Sequence, residues 1–228
     1  MNIIDRLKGK VVVSVQAMPS EPLYQEDCIN AMMKSVVKGG AGALRVAGVR
    51  DVKNAKKLFD VPVIGLTKPN VIPANYKEIV YITPTLKEVI SLVEAGADVI
   101  AFDGTMRERP NGAKLEELIK YIKINNRASM ADISTLEEGL NAEKLGANIL
   151  STTLSGYTQF SLNRGEGPDF ELLKQLVENT KLPVILEGRI REPEQVTKAF
   201  ELGAHCVVIG SAITRPQLIT KRFVQRGQ

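Results

Sequence analysis

Short apolar runs alternate with amphipathic segments along almost the whole chain. Eight runs rich in valine, isoleucine, leucine and alanine predict strands, over residues 11–17, 43–48, 62–68, 99–103, 128–134, 148–153, 183–189 and 206–211. Amphipathic segments between them predict helices, over 29–38, 86–95, 115–124, 136–145, 169–180 and 193–202. Strands that alternate with helices are typical of a parallel sheet built from βαβ units, and eight of them fit a closed barrel. We therefore predict an α/β fold, a single (β/α)8 TIM barrel domain over residues 1–228.

Two kinds of junction repeat along the chain and support this strand count. Glycine–alanine pairs at 40–41, 96–97, 146–147 and 203–204 each follow a helical segment, where glycine is the usual helix stop. Pro62 and Pro183 each open an apolar run, before the third and the seventh strand. These two prolines are four units apart, which indicates two similar half-barrels.

Composition and charge narrow the possible functions. The chain is 44% hydrophobic and 25% charged, as is ordinary for a globular protein, with a net charge of +4 and a pI of about 9.0. Lysine and arginine are scattered among acidic residues, which weakly favours an anionic ligand and gives no basic stripe for nucleic acid. The N-terminal segment is polar, and no apolar run is long enough to cross a membrane. We expect a cytoplasmic protein that binds neither nucleic acid nor membranes.

Polar side chains follow nearly every predicted strand at its C-terminal end, the end where barrels collect their chemistry. These strand-end residues are Gln16, Arg45, Lys68, Asp103, Asp132 with Ser134, Thr152 with Thr153, Glu187 with Arg189, and Gly210 with Ser211. Glycine at 188 and 210 lets a ligand approach the backbone after the seventh and eighth strands, the usual phosphate site of such barrels. The sequence therefore predicts a site for a small phosphorylated molecule.

Lys68 and Glu187 are the candidate acid–base residues, and each has an ordinary alternative. Three roles are open for Lys68: a solvated strand tip, an anion anchor or a base. To act as a base it must be neutral, so its pKa must fall from about 10.4 toward about 7–8. Arg45, one strand away, would lower that pKa, and direct pairing with Glu187 would raise it. We expect Lys68 and Glu187 at neighbouring strand ends. The alternative for Glu187 is a structural ion pair with Arg189 or Arg215.

Other chemistries have little support in the sequence. His205 is the only histidine and opens the eighth strand, so we expect a structural residue at the N-terminal face of the barrel. Cys28 and Cys206 lack metal-ligand spacing and are expected to be free thiols, so no zinc site is predicted. Asp103 and Asp132 suit either a hard cation or, more simply, hydrogen bonds to substrate or lysine. No nucleophile with a histidine partner and no dinucleotide fingerprint is present.

Several segments together resemble the N-acetylmannosamine-6-phosphate 2-epimerase family, nearly from end to end of the chain. The matching segments are 13–17, 44–45, 62–68, 81–85, 130–134, 152–158, 186–189, 212–216 and 220–223. Thr152–Thr158 and Ala212–Pro216 are the most specific of these in combination. The chain departs from the expected pattern at Val15, at residues 46–48, at Pro69 with Asn70, and at Ser211.

The resemblance implies a cofactor-independent, metal-free epimerase acting on a phosphorylated amino sugar in amino sugar and sialic acid catabolism. It places the catalytic pair on Lys68 and Glu187. Substrate-binding residues are then Gln16, Arg45 and Asp132, to which we add Thr153 and Tyr157 of the hydroxyl-rich loop. Phosphate-binding residues are expected to be Gly188, Arg189, Gly210, Ser211 and Arg215.

Two other functions stay open on the residues alone: a Schiff-base phosphosugar aldolase or lyase with Lys68 as nucleophile, and a phosphosugar-binding barrel without catalysis. Residues 69–80 form the longest irregular stretch and are either a lid over the site or an insertion without a role. The segment 221–224 covers a barrel end or a partner. A homodimer is expected, because symmetric dimers are the commonest soluble oligomers.

Overall fold

Eight parallel strands close into a barrel in the computed structural model, which describes residues 2–162 and 164–226. The strands are β1 (Val11–Val15), β2 (Ala43–Ala47), β3 (Val63–Leu66), β4 (Val99–Asp103), β5 (Ala128–Asp132), β6 (Ile149–Ser151), β7 (Val184–Glu187) and β8 (Cys206–Ile209). Each strand pairs with the next, and β8 pairs back to β1, with Val13 opposite Ile209. The predicted (β/α)8 fold is confirmed, and every strand lies inside its predicted range.

Helices surround the barrel. They are α1 (Ile3–Leu7), α2 (Glu26–Lys38), α3 (Val49–Leu58), α4 (Leu86–Glu94), α5 (Leu115–Ile124), α6 (Leu136–Lys144), α7 (Phe170–Asn179), α8 (Pro193–Glu201), α9 (Ser211–Thr214) and α10 (Pro216–Arg226). All six predicted helical segments are confirmed, as α2 and α4 to α8. Helix α3 was not predicted, because its strongly charged sequence buries only Val52 and Ala55 among its apolar residues.

The helices begin and end where local chemistry requires it. Thr85 and Thr135 open α4 and α6 with capping boxes, in which Glu88 and Glu138 reach back to the cap backbone. The predicted glycine stops are also confirmed. Glycines 40, 96, 146 and 203 follow their helices with φ of 98°, 90°, 93° and 90°, a conformation that glycine adopts without a steric penalty.

Strand alternation divides the core into two layers. Odd and even positions point to opposite faces, so one apolar set faces the helices and another fills the barrel interior. The inner set includes Val12 of β1, Ala43 of β2, Ile64 and Leu66 of β3, and Ile185 of β7. Continuing this alternation toward the C-terminal ends places the next inward side chains at 14, 16, 45, 68 and 187. The barrel therefore aims those side chains at its own C-terminal mouth.

The opposite end of the barrel is closed by the N-terminal segment. Leu7 of α1 is fully buried and belongs to the inner apolar set. His205 Nε2 lies 2.8 Å from the carbonyl oxygen of Ile4. This contact places His205 at the N-terminal face of the barrel, as predicted. Across the described residues, no helix combines the length and the apolar character needed to traverse a bilayer.

Candidate active site

A cavity of about 550 Å³ opens at the C-terminal end of the barrel, within the size range of small-molecule sites. Its walls come from the ends of β1, β2, β3, β7 and β8, the loop after β6, and helix α10. The residues assigned above to catalysis, substrate binding and phosphate binding all line it, except Asp132. They are Gln16, Arg45, Lys68, Thr153, Tyr157, Glu187, Gly188, Arg189, Gly210, Ser211 and Arg215.

The amine of Lys68 is held by one neutral partner. Lys68 Nζ donates to Gln16 Oε1 at 2.9 Å, and Gln16 Nε2 in turn donates to Ser14 Oγ at 2.8 Å. Burial lowers the pKa of Lys68 to about 8, and the nearby positive charge of Arg45 acts in the same direction. About a tenth of Lys68 is therefore an unprotonated amine at pH 7, and about half at pH 8.

Glu187 is a carboxyl group whose pKa is shifted toward neutrality. Its Oε2 accepts from Arg45 Nη1 at 2.6 Å and lies 3.1 Å from Thr153 Oγ1. Burial raises the pKa of Glu187 to about 7, because the opposing effect of Arg45 is smaller and the charge of Asp132 adds to the rise. Glu187 can therefore carry a proton or release one in the pH range where Lys68 also titrates.

Arg45 connects the carboxylates of Asp132 and Glu187. Its Nη1 and Nη2 donate to Asp132 Oδ1 and Oδ2 at 3.1 and 2.6 Å, in the paired geometry that suits a guanidinium. Burial disfavours the charge of Arg45, but the contacts with Asp132 and Glu187 outweigh it and raise its pKa. Arg45 therefore remains a cation although its side chain is only 1% exposed.

Asp132 lies below the cavity floor and not in its wall. Its side chain is 0% exposed, and its oxygens accept from Arg45 and, at 2.8 Å, from Thr153 Oγ1. The structure thus gives Asp132 the task of holding Arg45 and Thr153, whereas the sequence pointed to direct substrate contact.

Lys68 and Glu187 face each other across the barrel, so the expectation of neighbouring strand ends was wrong. Lys68 follows β3 and Glu187 ends β7, and three strands separate β3 from β7 in either direction around the closed sheet. Within the described residues, the salt bridge of Glu187 is with Arg45, and neither Arg189 nor Arg215 pairs with it. The two candidate acid–base groups therefore share a cavity without neutralising each other.

Two backbone turns border the cavity at the ends of β7 and β8. Gly188 and Arg189 have φ of 110° and 58°, both positive, and turns with left-handed residues are where successive N–H groups form anion-binding concavities. Ser211 and Ala212 open the short helix α9, whose first N–H groups have no partner within the helix. All four residues line the cavity.

The arginines of the predicted phosphate site have other partners in this structure. Arg189 donates from Nε to the carbonyl oxygen of Gly167 at 2.7 Å and from Nη1 to that of Ser155, and its guanidinium lies 5.7 Å from the ring centre of Tyr157. Arg215 Nη2 donates to Glu21 Oε2 at 2.9 Å. Arg189 thus holds the loop after β6, and Arg215 holds the loop after β1.

Asp103 and Ser134 do not reach the cavity. Asp103 is fully buried, and its carboxylate accepts from Arg107 Nη2 and Thr105 Oγ1, both at 2.6 Å. Ser134 donates to Glu138 Oε2 at 2.7 Å. Among the residues placed by the structure, no three His, Cys, Asp or Glu side chains cluster closely enough to hold a metal ion.

Hydrogen bonds hold the C-terminal part of the loop that follows Lys68. Arg107 Nη1 donates to the carbonyl oxygens of Tyr76 and Lys77, each at 3.0 Å, and the N–H of Gln159 donates to Lys77 at 3.1 Å. Tyr81 and Ile82, just beyond this anchor, line the cavity. A lid role for residues 69–80 remains a prediction.

Sequence reasoning missed several cavity residues. Ser14 is two residues before Gln16 on the inward face of β1, and strand alternation could have found it. Lys221 and Arg222 come from α10, which borders the cavity mouth. The sequence had assigned the segment 221–224 only to a barrel end or a partner, because a helix after the last strand has no fixed place in the repeat.

The family model and the similar proteins all point to the same family. Residues 29–228 match the family described as putative N-acetylmannosamine-6-phosphate epimerase. A relative from Clostridium perfringens (strain ATCC 13124), named putative N-acetylmannosamine-6-phosphate 2-epimerase, is 48% identical over 221 residues, covering 97% of this chain and 98% of the relative. One from Clostridioides difficile (strain 630), with the same name, is 47% identical over 223 residues, covering 98% of each chain.

Solved structures agree with this comparison. The N-acetylmannosamine-6-phosphate 2-epimerase from Clostridium perfringens superposes with a TM-score of 0.92 at 46% identity, over 99% of this chain and 96% of that one. Thiamine phosphate pyrophosphorylase from Pyrococcus furiosus has a TM-score of 0.63 at 18% identity, over 99% of this chain and 98% of that one. The second likeness is one of fold alone.

Proposed function

The chain belongs to the N-acetylmannosamine-6-phosphate epimerase family, and we propose that it interconverts N-acetylmannosamine 6-phosphate and N-acetylglucosamine 6-phosphate by moving the proton at C2. One arrangement supports this proposal above all. An amine with a pKa of about 8 and a carboxyl with a pKa of about 7 face one cavity from opposite strands. Such a pair suits proton removal and return on a bound sugar.

The reaction needs the open-chain form of the sugar. In the closed ring, the C2 hydrogen is hardly acidic. Ring opening gives an aldehyde at C1, and the C2 proton next to it can leave as electrons move onto the carbonyl oxygen to form an enolate. Return of a proton to the other face of C2 gives the epimer, so atoms and charge balance within the site.

In our proposal, Lys68 and Glu187 carry out different proton transfers. The neutral amine of Lys68 removes the C2 proton. The protonated carboxyl of Glu187, on the other side of the cavity, opens the ring by giving its proton to the ring oxygen and taking the proton that leaves the C1 hydroxyl. It is then protonated again and donates to the opposite face of C2. Proton exchange with water afterwards restores the neutral amine and the protonated carboxyl. The cation of Arg45 lies beside Glu187 and stabilises the negative charge that develops on the enolate oxygen.

The phosphate of the substrate fixes the sugar over these groups. We assign it to the N–H groups at Gly188, Arg189, Gly210 and Ser211, because they line the same cavity and phosphate accepts readily from such backbone turns. Tyr157 and Gln16 also line the cavity. Holding the phosphate at one end places C2 near Lys68 without a further contact to the reacting carbon.

Proton NMR in D2O tests the assignment. Purified protein should convert N-acetylmannosamine 6-phosphate to its epimer and replace the C2 hydrogen with deuterium. Lys68→Ala should lose both activities by at least about 100-fold, the usual value of a positioned base. Lys77→Ala, an exposed lysine of the same loop outside the cavity, is the matched control and should behave as wild type.

Three results would contradict the proposal in different ways. Retained C2 exchange in Lys68→Ala would remove Lys68 from the base role. Trapping of a substrate adduct on Lys68 by borohydride would replace epimerisation through an enolate by Schiff-base chemistry. Binding of the sugar phosphate with no conversion by the wild-type protein would leave a binding protein.

A further inference from the structure

Ser14 is a buried polar residue that the mechanism above does not use. It lies on β1 at the inward position before Gln16, and its side chain is 8% exposed. Its carbonyl oxygen accepts from Thr214 Oγ1 at 2.9 Å, and a methyl group on Gly210 would stand 3.4 Å from its Cβ. Ser14 is therefore fixed by the strand, by α9 and by the turn after β8.

The hydroxyl of Ser14 meets Gln16, which in turn meets the catalytic amine. Gln16 Nε2 donates to Ser14 Oγ at 2.8 Å, and Gln16 Oε1 accepts from Lys68 Nζ at 2.9 Å. An amide has one accepting end and one donating end, so these two contacts require one orientation of Gln16. Among the described residues, Gln16 is the only hydrogen-bond partner of the Lys68 amine.

The orientation of Gln16 decides what Lys68 can do. With the amide oxygen facing it, a neutral amine keeps one N–H on Gln16 and leaves its lone pair free for a substrate proton. With the amide reversed, the NH2 group would donate into that lone pair and block it. The site therefore needs a residue that holds the donating end of Gln16 away from Lys68.

We propose that Ser14 is a positioning residue for catalysis: it binds the NH2 end of Gln16 so that the amide oxygen faces Lys68 and the lone pair of the amine points into the cavity. This inference rests on the proposed function for its kinetic consequence. Its structural part concerns Lys68 alone and can be tested without any substrate.

A double-mutant cycle tests the kinetic consequence. Ser14→Ala should lower kcat by about three- to tenfold, the range that one net hydrogen bond is worth. Gln16→Met removes both ends of the amide and keeps the bulk of the side chain. In that background, Ser14→Ala should change kcat by less than about twofold, because the group through which it acts is already gone.

A substrate-free titration tests the structural part. Competitive acetylation of Lys68, followed by mass spectrometry across pH, should give a lower pKa in Ser14→Ala than in wild type, because a weakened bond to Gln16 favours the charged form less. Ser14→Cys keeps the side chain near its original size with a poorer acceptor and should fall between the two. Ser129→Ala is the control: Ser129 is a buried strand serine that contacts Asn148 outside the cavity.

The outcomes separate this inference from the proposed function. Wild-type protein without epimerase activity would overturn the function, while the Lys68 titration would still decide whether Ser14 acts on the amine. An active wild type in which Ser14→Ala has no effect on kcat, or the same effect with and without the Gln16 amide, would overturn the role of Ser14. An unchanged titration of Lys68 in both Ser14 variants would do the same.

Discussion

Arg45 Nη1 donates to Glu187 Oε2 at 2.6 Å, from a guanidinium that is almost entirely buried. The same guanidinium is held from its other side by Asp132, so Glu187 accepts from a donor that cannot turn away. A carboxyl in this position keeps a fixed direction toward the cavity whether or not it carries a proton. This geometry underlies the expected behaviour of the site.

The pH dependence of kcat/KM should show a plateau between about pH 7 and pH 8. The proposed reaction needs Lys68 neutral, favoured above about pH 8, and Glu187 protonated, favoured below about pH 7. The product of the two fractions rises up to about pH 7 and falls above about pH 8. Initial rates from pH 5.5 to 9.5 by NMR would measure both limbs.

Glu187→Gln identifies the group behind the alkaline limb. A glutamine cannot release a proton, so the residual activity of this variant should rise toward pH 8 and then stay level, with a rate at least about 100-fold below wild type. A fall above pH 8 that persists in this variant would assign that limb to another group.

Asp132→Asn should affect turnover more than substrate binding. Asp132 does not line the cavity, and its charge contributes to the raised pKa of Glu187. Without that charge the pKa of Glu187 falls, so the break of the acid limb of kcat/KM near pH 7 should move to lower pH while KM changes by less than about threefold. A large rise in KM with an unmoved limb would instead indicate that Asp132 contacts substrate directly.

Arg45→Met should strongly destabilise the fold at pH 8. It leaves two buried carboxylates without their cation, a loss typically worth about 3–5 kcal/mol. Without Arg45 the folded-state pKa of Glu187 rises further above its unfolded value, so the variant gains stability relative to wild type as pH falls from 8 toward 5. Urea unfolding at both pH values measures the difference.

A surface ion pair is the control for the Arg45 experiment. Lys174 pairs with Glu178 at 4.0 Å, and the two side chains are 55% and 59% exposed. Lys174→Met should therefore reduce the free energy of unfolding by no more than about 1 kcal/mol. Equal losses in the two variants, or a loss in Arg45→Met that does not narrow at low pH, would contradict a buried charge cluster.

Gly156→Ala should disturb the cavity wall through Arg189. A Cβ at Gly156 would stand 2.5 Å from Arg189 Nη1, and the φ of 83° at this position is unfavourable for alanine by roughly 1–2 kcal/mol. We expect a lower midpoint of urea unfolding and a higher KM for the sugar phosphate, because Arg189 and Tyr157 line the cavity. Gly112→Ala, with a φ of 66° but open space around it, is the control for backbone strain alone.

The barrel was readable from the sequence because its signals are local. Pro62, Pro183 and the glycine–alanine pairs mark junctions within a few residues of the strands they announce. Their position at the C-terminal ends of predicted strands then placed Gln16, Arg45, Lys68 and Glu187 at one rim before any contact was known. Helix α3 was not predicted from the sequence, because its many charged residues mask the short apolar pattern of Val52 and Ala55.

The partners of these residues were not readable, because the closed barrel creates them. Arg45 and Asp132 are 87 residues apart in the chain, and Arg45 and Glu187 are 142 apart. Nothing local distinguishes an arginine that binds phosphate from one that binds a distant carboxylate. The separation of Lys68 and Glu187 by half the barrel is a different case. It was missed although the predicted strand order already implied it.

The cluster of Arg45, Asp132 and Glu187 joins β2 to β5 and β7, and thus one half of the barrel to the other. A fragment that ends after β4 would contain the buried cation and neither of its counter-ions. Either half made alone must then expose these side chains to water or bury a charged group without its partner. Engineering this protein by splitting or recombining half-barrels therefore requires that position 45 be redesigned together with its two carboxylates.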